Sequence, residues 1–173
     1  MKKRALLGIG AAIVLCMFTA MVFAQGQDDI RNHPGCKYCG MDREKFGHSR
    51  VYIEYDDGTS IGTCSIHCAA VELALRIDKT PKVIMVGDYS SKSLIDVEKA
   101  FWVMGGSKMG VMTKRAKWAF EKKADAQRFI KENGGEISTF DGVIKAAYED
   151  MYGDTKMIRE RWKMKKMEHK KPS

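Results

Sequence analysis

The chain of 173 residues suits one compact domain or two small related ones, and its 45% hydrophobic content is ordinary for a globular protein. Three prolines exclude a proline-rich linker protein. The formal charge of +8 is unevenly spread: Lys2, Lys3 and Arg4 open the chain, and much of the remaining excess lies at its end. No basic stripe with interleaved aromatics runs through the body, so no nucleic-acid partner is expected.

The first element is a targeting signal. "MKKR" is a positive start, and residues 5–24 form an apolar run of 20 residues. Val22, Phe23 and Ala24 precede Gln25 in a pattern that suits signal peptidase. The run is also long enough to stay as an N-terminal anchor. Cys16 follows the bulky Leu15, which argues against a lipoprotein. In each version the domain is exported, to the periplasm or the outer face of the cytoplasmic membrane of a bacterium. The expected organisation is a leader over 1–24, a metal-binding domain over 25–155 and a basic tail over 156–173.

After a polar lead comes "CKYCGM", residues 36–41. Its C-x2-C spacing puts two sulfurs on one tight turn, and Gly40 supplies a flexible exit. "SRVYIEYDDGTSIGTC" then reads as a hairpin. Val51, Ile53 and Tyr55 alternate with polar or amphipathic residues, and Asp57-Gly58 is a strong turn signal. The return strand, about 59–63, leads into a helix over about 65–77 with Ser65 as its N-cap. "KVIMVGDY" reads as a strand, and "SKSLIDVEK" as a loop with a partial helix or a lid.

The second half repeats the plan. "KAFWVMGG" is strand-like and "SKMGVMTKR" is a methionine-bearing loop. "AKWAFEK" is a strand with Trp118 and Phe120 on one face. "KADAQRFIKENGG" is an amphipathic helix closed by Gly134 and Gly135. "EISTFD" is a strand and "GVIKAAYEDMYGD" a final helix. The fold class expected is α+β, two related ββα-type modules packed as one compact domain. The basic end, with Trp162, Met157, Met164 and Met167, is either a solvated tail or an amphipathic helix for a membrane surface or a partner.

Cys36 and Cys39 meet a second cluster, "CSIHC", in which Cys64 and Cys68 stand one helical turn apart. In an oxidising compartment four cysteines are most simply two disulfides. Paired spacings of this kind also chelate metals, and a structural zinc site often combines two such pairs. Met41 and His67 add a thioether and an imidazole. Thiolate, thioether and imidazole together favour Cu(I) over zinc, which stays the alternative cofactor. His67 points about 100° away from Cys68 on a helix, so it is either an added ligand or a surface histidine. Met104 reads as a core residue, and His33 and His48 as auxiliary candidates beside the first cluster. No serine–histidine–acid order, phosphate loop or HExxH is present, so no enzyme activity is expected. "CKYC" does not open a helix, which argues against a thiol oxidoreductase.

The blocks "CKYCGM", "HSRVYIEYDDG", "KSLIDVEKAFWVMG", "MGVM", "WAFEKKADAQRFIKENGG" and "FDGV" resemble the NosL family, the nitrous oxide reductase accessory proteins. The resemblance runs over about residues 33–148. "CSIHC" lies outside the family's minimal pattern and resembles TRASH-like metal knuckles. The resemblance implies an envelope copper chaperone that binds Cu(I). It implies a copper-accepting enzyme or its assembly transporter as partner, with nitrous oxide reductase maturation as the expected role. It also implies Met41, from "CGM", as a soft donor, and brings in Met109 and Met112 from "MGVM". The expected metal set is therefore Cys36, Cys39, Met41, Cys64, Cys68, His67, Met109 and Met112. The alternative is a zinc- or disulfide-stapled envelope protein acting as an interaction module.

Overall fold

A computed structural model describes residues 28–168. The expected leader, with Cys16, lies outside the described residues, as do the last five residues of the expected tail. The polar lead contains a short helix α1 (Asp28–Asn32). The hairpin follows as β1 (Val51–Tyr55) and β2 (Ser60–Thr63). Alternation sets its faces: Val51, Ile53 and Tyr55 are buried, while Tyr52 and Glu54 are half-buried. Gly58 takes φ +79°, the left-handed conformation that the hairpin turn requires. Helix α2 (Ile66–Leu75) comes next, then β3 (Pro81–Gly87) and β4 (Leu94–Asp96).

The second half runs β5 (Phe101–Met104), β6 (Lys117–Phe120), α3 (Lys123–Asn133), β7 (Glu136–Ser138) and α4 (Phe140–Glu168). Gly134 caps α3 at φ +74°, as its position predicts. The two sheets have the strand orders β2-β1-β3-β4 and β6-β5-β7. In each, the first strand of a hairpin is central, its return strand lies on one side, and the strand after the helix lies on the other. The expected pair of ββα modules is thus present; the first adds β3 and β4 to its hairpin, and the second adds β7. The sheets meet at a parallel bridge between Asp88 and Ala119, where the Tyr89 N–H donates to the Ala119 carbonyl at 2.8 Å.

Three expectations change. "SKSLIDVEK" is not a partial helix or a lid. Its centre is β4, which pairs antiparallel with β3 (Val86 opposite Ile95) and satisfies backbone groups that a loop would leave to water. Ser65 occupies the N-cap position of α2 with extended backbone, but its hydroxyl makes no capping bond. The final helix does not end near residue 154. It continues through residues 156–168, where Lys, Arg, Met and Glu are all good helix formers.

The main core lies between the first sheet, α2 and α4. It joins Val51, Ile53, Tyr55, Ala70 and Val86 to Trp102, Val143 and Ala147. A second core holds Val103, Trp118, Phe120 and Phe129, with Tyr89 against it. A third, small cluster consists of cysteines.

Candidate metal centre

The loop over 36–41 folds back on itself through backbone bonds. The Cys36 N–H donates to the Met41 carbonyl at 2.8 Å, and the Gly40 N–H donates to the Cys36 carbonyl at 2.9 Å. Gly40 takes φ +70°, which a side chain would strain. The Lys37 N–H reaches the Gly62 carbonyl of β2 at 3.1 Å, which seats the knuckle beside the second cysteine cluster. Cys64 follows β2 directly, and Cys68 lies in the first turn of α2.

These elements bring four sulfurs together. The Sγ atoms of Cys36, Cys39, Cys64 and Cys68 all lie within 4.8 Å of one another. Cys39 Sγ is 3.5 Å from Cys64 Sγ, and Cys64 Sγ is 3.8 Å from Cys68 Sγ. None forms a disulfide. Four sulfurs about 2.3 Å from a central ion form a tetrahedron with edges of about 3.8 Å, so the cage is sized for one metal. Cys36, Cys64 and Cys68 are buried, and Cys39 is half-buried on the open side.

The thiols are not equivalent. Hydrogen bonds from Cys39, Cys64 and Cys68 hold the Cys36 thiol well below its usual value. Cys39 is raised by its bond with Cys36, but bonds from Cys64 and Cys68 bring it below its usual value overall. Cys64 and Cys68 are pushed up, first by hydrogen bonding to Cys36 and Cys39 and then by burial. The knuckle pair therefore ionises first, and the helix pair loses its protons when an ion supplies the compensating charge.

Tyr38, Met41, Phe46, Val111 and Met112 pack against the thiols. Met112 comes from the loop between β5 and β6, so the second module supplies part of the wall. It takes φ +62°, a conformation costing about 1–2 kcal/mol in a residue with a side chain. Met109, from the same loop, is 73% exposed and is not part of the cluster.

His67 is neither a surface histidine nor one of the grouped donors. It is buried, and its Nδ1 lies 3.6 Å from Asp154 Oδ2 of α4. The helical rotation of about 100° per residue turns it away while Cys68 faces the cluster. Burial pushes its pKa down, and Asp154 works in the opposite direction. His33 Nε2 lies 3.0 Å from Ser60 Oγ, and the His48 ring packs against Tyr89 and Trp118. Neither joins the sulfurs.

Two supporting groups escaped the sequence reading. Glu72, buried in α2, accepts a hydrogen bond from Tyr38, the residue before Cys39, and another from Tyr55 Oη at 3.0 Å. Its spacing of four from Cys68 and eight from Cys64 was a signal, because it continues their helix face. Nothing local identified Tyr38 as its partner. Arg43, fully buried, donates to Asp29 Oδ2 at 2.8 Å, to the Thr63 carbonyl at 3.1 Å and to the His33 carbonyl at 2.7 Å. It ties the end of the knuckle to α1 and β2.

The NosL family model matches residues 27–148. No curated protein matches the chain. Among solved structures, the crystal structure of the copper chaperone NosL from Shewanella denitrificans is 25% identical, with a TM-score of 0.49. That likeness covers 62% of this chain and 87% of that one.

Proposed function

The chain belongs to the NosL family, and on that premise we propose that it is an exported Cu(I) carrier rather than an enzyme. The observation that carries this reading is the buried cage of four unpaired cysteine sulfurs with two thioethers, Met41 and Met112, packed on it. Soft donors of this kind suit Cu(I), which tolerates low coordination numbers. Cys36 and Cys39 are proposed as the receiving ligands, because they carry the most acidic thiols and include the half-buried sulfur. Cys64 and Cys68 complete the site. Met41 and Met112 are proposed as soft donors at its rim, and exposed Met109 as a transfer contact. His67 is proposed to orient α2 through Asp154 rather than to bind.

Carriage requires both retention and release. A low-coordinate set achieves this, because an acceptor's ligand can take an open position and displace donors one at a time. The acceptor is proposed to be an envelope copper enzyme or its assembly transporter, with nitrous oxide reductase maturation as the specific role. The test is a competitive titration of the reduced chain from Gln25 onward against a chromophoric Cu(I) chelator. Uptake of one ion that disappears in Cys36→Ser/Cys39→Ser supports the proposal. Uptake no greater than that of the control would overturn it.

One observation favours a second reading. The sulfur separations of 3.5 and 3.8 Å are close to the edge of a tetrahedral zinc site. A closed zinc centre would hold the knuckle to α2 as a structural staple. In that case removal of zinc would unfold the first module, and Cu(I) would enter only by destroying it.

A further inference from the structure

We infer that residues 156–168, the C-terminal turns of α4, form a docking surface for an anionic lipid bilayer. This stretch has six basic residues against two acidic ones. Lys156, Arg159, Lys163 and Lys166 recur at intervals of three and four, which puts them in one row along the helix. All four are exposed, and no salt bridge among the described residues involves them. Glu160 is the one carboxylate beside this row, so the row keeps a net positive charge that an anionic surface would complement.

The flanks of that row are apolar and wet. Trp162 is 53% exposed, Met164 52% and Met167 61%. On the helix, Trp162 lies to one side of the cationic row, and Met164 and Met167 lie to the other. The domain offers them no cover, since Met151 is the last α4 residue packed on the main core. An acidic protein would match the cations but give these side chains no particular use. The headgroup layer of a bilayer matches both, because lysine stems lie along the interface with their ammonium groups at phosphate level, while tryptophan and methionine enter shallowly. Among the described residues no helix is long and apolar enough to cross a membrane, so the fit is to a surface.

The placement has a purpose within the fold. Asp154, against His67 at the start of α2, lies eight residues before Trp162, about 12 Å along the helix. Docking would therefore hold the thiol cage close to the bilayer.

The test uses the full chain, metal-free, so that it is independent of the proposed copper cargo. Trp102 and Trp118 are buried, at 0% and 3% exposure, so only Trp162 can report contact with lipid. The probe is phosphatidylcholine vesicles with brominated acyl chains, with and without phosphatidylglycerol. Residues 5–24 are apolar enough to enter either vesicle, so the readout is quenching of Trp162 rather than co-sedimentation. Quenching is expected with phosphatidylglycerol, absent without it, and reversed by salt. It should disappear in Trp162→Phe, and Lys163→Glu/Lys166→Glu should weaken it about thirtyfold or more. These sites are exposed, and unchanged far-ultraviolet dichroism would verify that the variants fold. Equal quenching in neutral vesicles, or none in either, would overturn the inference. A blue shift that grows with protein concentration before lipid is added would reassign the face to a second copy of the chain.

Discussion

Tyr38, in the knuckle between Cys36 and Cys39, donates its hydroxyl to the buried carboxylate of Glu72, one turn beyond Cys68 on α2. The bond joins the two cysteine clusters without touching a sulfur. Burial, and then the bond to Glu72, push the phenol above its usual pKa. In Tyr38→Phe the carboxylate keeps its bond from Tyr55 and loses this one. The expected cost is about 1–2 kcal/mol, read from urea unfolding of the metal-free chain. The same variant should bind metal more weakly with unchanged stoichiometry, because all four thiols remain. Unchanged stability and affinity would show that the knuckle is held by its backbone bonds alone.

The two thioethers separate the metals. Met41→Leu and Met112→Leu conserve volume and leave the four sulfurs in place, so the fold should lose less than about 1.5 kcal/mol. If copper is the cargo, each should weaken Cu(I) binding by about tenfold or more, since a soft donor is lost, while zinc binding stays level. Equal effects on both metals in competition titrations would reduce Met41 and Met112 to packing.

Gly62 lets Arg43 lie under the knuckle. A Cβ at this position would stand 2.4 Å from the Arg43 guanidinium carbon. Gly62→Ala must therefore displace a buried cation from Asp29 and from the Thr63 carbonyl. The loss is expected at about 3–5 kcal/mol, the range for a buried pair that is broken rather than replaced. Thermal unfolding is the direct measurement, and a shift of only a degree or two would mean that Arg43 has another place to go.

Acid should destabilise the fold through its histidines. Burial, and secondarily Lys92, hold His48 below its ordinary value of 6.5. The unfolded chain then takes up a proton at a higher pH than the folded one. Stability therefore rises with pH through the window below 6.5 and is lost as the pH falls through it. His33 and His67 are shifted the same way, each mainly by burial. His48→Phe keeps a ring against Tyr89 and Trp118 and removes one titrating group. Its urea midpoint should fall less between about pH 7 and pH 5 than that of the parent chain. Parallel slopes would contradict the assignment.

Local chemistry was the legible part of the sequence. The alternation in β1, the Asp57-Gly58 turn, the glycine cap of α3 and the spacing within each cysteine motif all depend on residues close in the chain. Their positions in the structure match the expected ones. The misread parts depend on partners outside the misread segment itself. Residues 94–96 become a strand because β3 has a free edge, which three residues cannot announce. His67 is buried because α4 crosses α2 about 87 residues later and presents Asp154. The continuation of α4 beyond residue 155 was hidden by composition, since a charged helix and a charged tail read alike.

The two modules share a strand plan but not a donor set. The junction of β2 with α2 carries Cys64, whereas the matching junction of β6 with α3 carries Glu121 and Lys122. The second module lends Val111 and Met112 to the thiols instead. The duplication is thus a division of labour, with reactivity in one copy and shelter in the other. Sequence drift should register differently in each: a lost cysteine removes one of the four grouped sulfurs, while a change in the β5–β6 loop keeps all four and alters what packs over them.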